Sequence, residues 1–164
     1  MMIDILDKLS DDKKQQLIKK PKACFGFDEN YQYFVCHYRQ VEIICDVVIY
    51  DYEQAINHNR YFEKEYAHFA KELWLFADNC CGDEWFLHKT TKQVLFYDHE
   101  QGEYSSFDDF VKFDVDFGQF MHLIMALRKF QLNEHAIKNP QDYFNKHILP
   151  LNPIFFDNYP YEIY

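Results

Sequence analysis

The chain has 164 residues and a formal net charge of −10, from 27 acidic against 17 basic residues. This length fits one domain that buries about 68–70% of its unfolded surface, so folding requires neither a disulfide nor a metal. The acidic balance argues against nucleic-acid binding, which depends on clustered Lys and Arg. It permits a basic protein partner, although many cytosolic proteins are acidic simply because charge keeps them soluble.

Aromatic residues make up 20% of the chain, with 17 Phe and 13 Tyr. Most of these rings must lie in the core, and the surplus of Tyr also suits a binding surface because Tyr is rigid and amphipathic. The five cysteines form no CxxC pair and no cluster at zinc-ligand spacing. We therefore predict reduced and mostly buried thiols.

The first residues lack a charged segment followed by an apolar one, so no secretory signal is expected. No apolar run approaches the ~18–20 residues that span a bilayer. These two absences predict a cytoplasmic protein without a membrane partner.

Along the chain, the first predicted element is a helix over residues 3–20, which Pro21 ends. Aromatic and β-branched residues at 31–38 and 41–50 predict two neighbouring strands or a hairpin. The second run is so apolar that we expect it away from an exposed edge. Apolar residues three or four positions apart in 51–72 then predict an amphipathic helix.

Three compact strands are predicted next, at Leu73–Ala77, Glu84–Lys89 and Val94–Asp98. The segments between them, 78–83 and 90–93, are rich in turn-forming residues. Short connections of this kind favour an antiparallel meander.

Ser105 and Ser106 are predicted N-caps of a short helix that continues through Phe107, Phe110 and Val111. Asp114 or Asp116 then precedes a longer helix whose apolar stripe is formed by Phe117, Phe120, Met121, Ile124 and Leu127. The last residues contain several prolines and many aromatic residues, which predicts that they dock on the core.

Together these elements predict a single α+β domain over residues 1–164. Its mainly antiparallel, twisted sheet is expected to have about five to six strands, with helices packed on one side and at the ends. The core covers about residues 22–137, and residues 138–164 form a docked, aromatic-rich tail.

Patterns that carry catalysis or bind cofactors are missing from the sequence. The nearest metal-ligating candidates, His88, His99 and Cys80-Cys81, lack convergent spacing, so structural roles are preferred and no metal is expected. Ser105-Ser106 has no flanking glycine elbow. With four glycines and no phosphate-binding loop, the chain is expected to bind no nucleotide or other cofactor and not to be an enzyme.

Acidic residues gather at two turns. Asp78, Asp83 and Glu84 flank one turn, and Asp98, Glu100 and Glu103 flank another. Paired carboxylates can perform acid–base chemistry, but acids in turns are more often solvated or used in partner recognition. We therefore predict a partner-binding surface at these six acids, with Tyr97 and Tyr104 as aromatic contacts.

The segment from Trp74 to His99 carries a recognisable pattern. A Trp-containing apolar strand precedes a Gly-Asp loop, an aromatic strand follows, and a third strand ends at Asp-His. The residues that carry this pattern are Trp74, Phe76, Gly82, Asp83, Trp85, Phe86, Val94, Tyr97, Asp98 and His99. This pattern resembles the central signature of the SUKH superfamily, and Ser106-Phe107-Asp108-Asp109-Phe110 is similar to the start of its closing helix.

The resemblance covers about residues 42–113 and implies the fold more firmly than the function, because the matching residues are mostly scaffold. It implies an immunity protein that binds and neutralises a polymorphic toxin, for example a nuclease. Two alternatives stay open, namely a regulatory adaptor of the same fold and a hydrolase that uses the acidic turns.

Overall fold

A computed structural model describes residues 13–22 and 25–163 of the chain. Its six strands are β1 Val41–Ile44, β2 Val47–Ile49, β3 Leu73–Asp78, β4 Glu84–His88, β5 Val94–Tyr97 and β6 Val111–Phe113. The six α-helices of the described part are α1 Glu29–His37, α2 Tyr52–Glu65, α3 Ala67–Ala70, α4 Phe117–Asn133, α5 Pro140–His147 and α6 Pro153–Asp157. This arrangement confirms the predicted α+β class.

The strands form one antiparallel sheet in which each strand pairs with the next in sequence, β1-β2-β3-β4-β5-β6. The strands predicted at 73–77, 84–89 and 94–98 correspond to β3, β4 and β5, so the predicted meander is confirmed. β6 follows a 3₁₀ turn at Phe107–Asp109, where the sequence predicts a continuing helix.

Helices cover both faces of this sheet, whereas the sequence predicts helices on one side and at the ends. Trp85 and Phe86 are neighbours in β4, so their side chains point to opposite faces. The Trp85 ring lies 5.1 Å from that of Phe120 in α4. The Phe86 ring lies 5.4 Å from that of Phe62 in α2. Both rings are fully buried, so the protein has a core layer on each face of the sheet.

Residues 31–38 form most of α1 and not the predicted strand. Tyr31, Phe34, Val35 and Tyr38 are buried and recur at helical spacing, although their types also favour strands. Asp28 adds a local helix signal, because its Oδ1 accepts a 2.9 Å hydrogen bond from the backbone N–H of Tyr31 and caps the helix.

The run 41–50 is two strands, β1 and β2, joined by a tight turn at Cys45 and Asp46. The expectation that this run avoids the edge is wrong for β1, which is the first strand of the sheet. Its apolar side chains are nevertheless buried because α4 packs against it. Arg128 of α4 also donates a hydrogen bond to the carbonyl oxygen of Ile43.

Residues 3–12 of the predicted N-terminal helix lie outside the described residues. The rest of the prediction is wrong, because Lys14 forms an antiparallel bridge with Tyr38. Further along, the backbone N–H of Ile18 donates to the Cys36 carbonyl at 3.1 Å. This segment therefore runs beside the end of α1, and its backbone N–H groups donate hydrogen bonds to carbonyl oxygens of that helix.

The helix predicted at 51–72 is confirmed as α2 and α3, separated at Tyr66. Asp116 begins α4 with a capping box to Gln119, and all five stripe residues predicted for this helix are buried. The four described cysteines are free, but Cys45, Cys80 and Cys81 are exposed, so the prediction of mostly buried thiols is wrong. In the part of the chain that the structure describes, no helix has the length and apolarity needed to cross a bilayer.

Candidate functional site

Three connections meet at one end of the sheet. Because β2 pairs antiparallel with β3 at Val48 and Asp78, the β1–β2 turn lies beside the β3–β4 turn. β4 pairs antiparallel with β5 at Glu84 and Tyr97, which brings the residues after β5 to the same end. The C-terminal segment after α6 also packs here.

Asp83 occupies the centre of this end and is only 6% exposed. Its Oδ1 accepts a 3.1 Å hydrogen bond from the backbone N–H of His99 and lies 2.7 Å from Nδ1 of that ring. Its Oδ2 accepts hydrogen bonds from Asn79 Nδ2 at 2.9 Å and from the Tyr161 hydroxyl at 2.6 Å. The carboxylate thus joins two connections of the sheet to the C-terminal segment.

The charges of this cluster support one another. Burial raises the pKa of Asp83, but hydrogen bonds from Tyr161 and His99 outweigh it and place the pKa below its ordinary value. The hydrogen bond to Asp83 raises the pKa of the exposed His99 imidazole. Each of these two pKa shifts therefore favours the charged form of its own group.

Asp83, Asp98 and His99 are also close enough for each to offer a ligand atom to one metal ion. The Asp83 carboxylate, however, already accepts four hydrogen bonds, and His99 Nδ1 faces it directly. A metal would have to replace these bonds, so the cluster is better explained as a hydrogen-bonded ion pair.

Two carboxylates face each other on the side of the sheet that α2 covers. Asp78 of β3 pairs with Glu84 of β4. Each carboxylate accepts a hydrogen bond from a tyrosine hydroxyl, Asp78 from Tyr50 and Glu84 from Tyr104. Like charges in directly opposed positions repel, and these hydroxyls offset part of that cost.

Burial raises the pKa of Asp78, and its hydrogen bond to Tyr50 opposes this shift. Burial also raises the pKa of Glu84, the Tyr104 hydroxyl opposes it, and the charge of Asp78 raises it further. Two neighbouring carboxyl groups with raised pKa values are typical of acid–base sites as well as of desolvated structural pairs.

The predicted surface residues divide by exposure. Tyr97 is 2% exposed, Asp83 is buried, and Asp78, Glu84 and Tyr104 are partly buried. The more accessible members are Asp98, Glu100 and Glu103, which we call the acidic rim. Asp98 caps the 3₁₀ turn His99–Gln101 by accepting a 2.8 Å hydrogen bond from the Glu100 N–H. The structure therefore separates the eight predicted residues into an exposed rim and the groups beneath it.

Several residues of the cluster give no local signal in the sequence. Asn79 accepts hydrogen bonds from the backbone N–H groups of Cys81 and Asp83 through its Oδ1. Tyr159 donates a 2.9 Å hydrogen bond to Asp46 across 113 positions of the chain. The only available indication is the predicted docking of an aromatic tail, which identifies neither partner.

The fold places the chain in the class of single α+β domains with an antiparallel meander. Its site consists of the hydrogen-bonded Asp83 cluster and the exposed acidic rim. Comparison with protein-family models, with curated proteins and with solved structures gave no match for this chain. Family membership therefore stays a proposal that rests on the residues described above.

Proposed function

We propose that this chain is a cytoplasmic immunity protein of the SUKH superfamily that binds and neutralises a basic polymorphic toxin without catalysing a reaction. The observation that carries this proposal is the acidic rim, held at the end of the sheet in a chain with a net charge of −10. Negative charge steers a basic partner and can raise association to about 10⁸–10⁹ M⁻¹s⁻¹ at low salt.

Buried groups beneath the rim support this role by fixing its backbone. The Tyr97 hydroxyl donates to the carbonyl oxygens of Gly102 and Glu103, each at 3.2 Å. Asp83 holds the backbone N–H of His99. A surface whose conformation is set before binding loses less entropy in the complex. Asp83 and Tyr97 thus serve recognition by positioning the rim.

The first test is co-expression with the toxin-domain protein expected immediately upstream of this gene. The neighbouring product alone should arrest growth, and this chain should restore it. A harmless neighbour, or a toxic one that this chain does not neutralise, would contradict the proposal.

The second test concerns the rim. Glu100→Lys with Glu103→Lys should slow association with the purified toxin about tenfold at low salt and weaken its salt dependence. Glu42→Lys with Glu53→Lys makes the same charge change at exposed positions of β1 and of the first turn of α2, the end of that helix opposite Tyr66. Replacing Glu103 also removes its hydrogen bond with Tyr66, so thermal unfolding of each variant is measured to show whether stability changes. If the rim and control double substitutions slow association equally, the interface lies elsewhere.

The Asp78–Glu84 pair favours one second candidate, a hydrolase that uses these carboxyl groups as acid and base. Asp78→Asn and Glu84→Gln retain the acceptors for Tyr50 and Tyr104. Loss of turnover of a hydrolysable substrate by folded variants would support the hydrolase, whereas unchanged toxin neutralisation by both variants would support the immunity role.

A further inference from the structure

A pocket of about 310 Å³ lies where β2 leaves the edge of β3 uncovered. β2 pairs with β3 only at Ala77 and Asp78, so the earlier part of β3 faces α2. The pocket is lined by Lys22, Ile56, Asn59, Arg60, Glu63, Ala70, Trp74 and Lys89. It is distinct from the acidic rim and from the Asp78–Glu84 pair.

Positive charge dominates this lining in an otherwise acidic chain. Three basic residues and one acidic residue give the lining a formal charge of +2 (3 − 1). Lys22 and Arg60 are exposed, and neither forms an ion pair with any residue that the structure describes. These two charges are available to an anion from solution.

The third cation is held in place at the pocket wall. Lys89 Nζ donates to the carbonyl oxygen of Ala70 and lies 5.7 Å from the centre of the Trp74 ring. An ammonium fixed over an aromatic ring keeps its charge beside an apolar surface. The pocket thus combines a cationic rim with an indole in its wall.

The remaining lining is apolar or already satisfied. Ile56, Ala70 and Trp74 supply apolar surface. The Asn59 amide is used within the fold, where it bonds the backbone of Leu75 and Ala55. Recognition therefore falls to Lys22 and Arg60 and to the apolar wall beside Lys89.

We propose that this pocket binds a small phosphomonoester that carries an aromatic or aliphatic body. A dianionic phosphate matches the charge of +2, and a guanidinium can hold two of its oxygens at once. A volume of about 300 Å³ is at the lower end for ligand sites, which suits a phosphate with one ring. This site is independent of toxin binding.

The test is titration of the purified chain with phenyl phosphate at low salt, by calorimetry or through tryptophan fluorescence. We expect a dissociation constant of about 1 mM or tighter. Inorganic phosphate and benzoate should each bind at least about tenfold more weakly, because one lacks the ring and the other the second charge. Absence of phenyl phosphate binding, or equal binding of either control, would overturn the proposal.

Arg60→Gln should weaken phenyl phosphate binding about tenfold, since it removes a charge-assisted pair of hydrogen bonds. Arg39→Gln is the matched control, because Arg39 is also exposed but does not line the pocket. Lys22→Gln should weaken binding in the same direction without touching α2. If Arg60→Gln and Lys22→Gln bind phenyl phosphate as tightly as Arg39→Gln does, the assignment of this pocket is contradicted.

Discussion

The Tyr161 hydroxyl donates a 2.6 Å hydrogen bond to Oδ2 of Asp83, 78 positions earlier in the chain. Asn79 Nδ2 lies 2.8 Å from the same hydroxyl oxygen and 2.9 Å from Asp83 Oδ2, so the three side chains close a small network. This network connects the C-terminal segment to the β3–β4 turn. The stability of the sheet end therefore depends on residues far away in sequence.

Tyr161→Phe tests this connection. The substitution keeps the ring but removes the donor to a buried carboxylate, so we expect the free energy of unfolding to fall by about 1–3 kcal/mol. Urea denaturation measures the change. Tyr143→Phe is the control, since Tyr143 is 39% exposed and its hydroxyl makes no hydrogen bond with the described residues. Equal stability of the two variants would show that the network contributes nothing.

The Asp83–His99 pair predicts a defined pH dependence. The raised pKa of His99 means that its stabilisation is complete below about 6.5 and is lost as pH rises through the folded-state value. The lowered pKa of Asp83 means that its stabilisation is complete above about 3.8 and is lost as pH falls through the folded-state value.

The stability difference between the wild type and His99→Gln should therefore be largest between about pH 4 and 6.5 and shrink on both sides. Urea denaturation at a series of pH values measures this difference. His135→Gln is the control because His135 is exposed and lies in the 3₁₀ turn after α4. A difference that does not change with pH would contradict an ion pair at this position.

Glu84→Gln should stabilise the protein at neutral pH. The raised pKa of Glu84 means that folding becomes less favourable as pH rises from about 4.5 through the folded-state value. Gln removes the buried charge and its repulsion from Asp78, while its Oε1 still accepts from Tyr104.

We expect the free energy of unfolding at pH 7 to rise by about 0.5–2 kcal/mol and the gain to disappear in acid. Thermal unfolding at pH 4 and pH 7 measures both. Glu42→Gln, at an exposed position of β1, should leave stability nearly unchanged. A loss of stability at pH 7 would mean that the ionised carboxylate is needed by the fold.

Sequence patterns predict those elements of the fold whose structure is set by residues close together in the chain. β3, β4 and β5 follow from short apolar runs between turn residues, and α4 follows from its stripe and the Asp116 cap. α1 could not be assigned from residue types, because Tyr31 and Phe34 suit a strand while their spacing suits a helix. The capping aspartate Asp28 is the local signal that favours the helix.

The site was predictable only in part for a different reason. Acids in turns are usually solvated, so Asp83 appears from the sequence as a surface residue. It is nevertheless buried, and the distant Tyr161 hydroxyl contacts its carboxylate. Glu100 and Glu103, by contrast, are exposed. Burial that depends on distant parts of the chain leaves no local pattern to detect.

The Asn59 side chain takes the place of a neighbouring strand along part of β3, and the last prediction concerns this residue. β2 does not reach Leu75, and the Asn59 amide instead accepts from the Leu75 N–H at 2.9 Å and donates to the Leu75 carbonyl at 2.7 Å. Asn59 is 6% exposed, so water cannot easily replace these bonds.

Asn59→Ala should leave both backbone groups of Leu75 without a partner and lower the free energy of unfolding by about 2–4 kcal/mol. Asn57→Ala, at an exposed position of the same helix, should change it by less than about 0.5 kcal/mol. Hydrogen exchange of the Leu75 amide separates this cause from a general loss of packing, because that amide should exchange faster in Asn59→Ala than the Phe86 amide of β4. Similar acceleration of both amides would contradict a specific role for the Asn59 side chain.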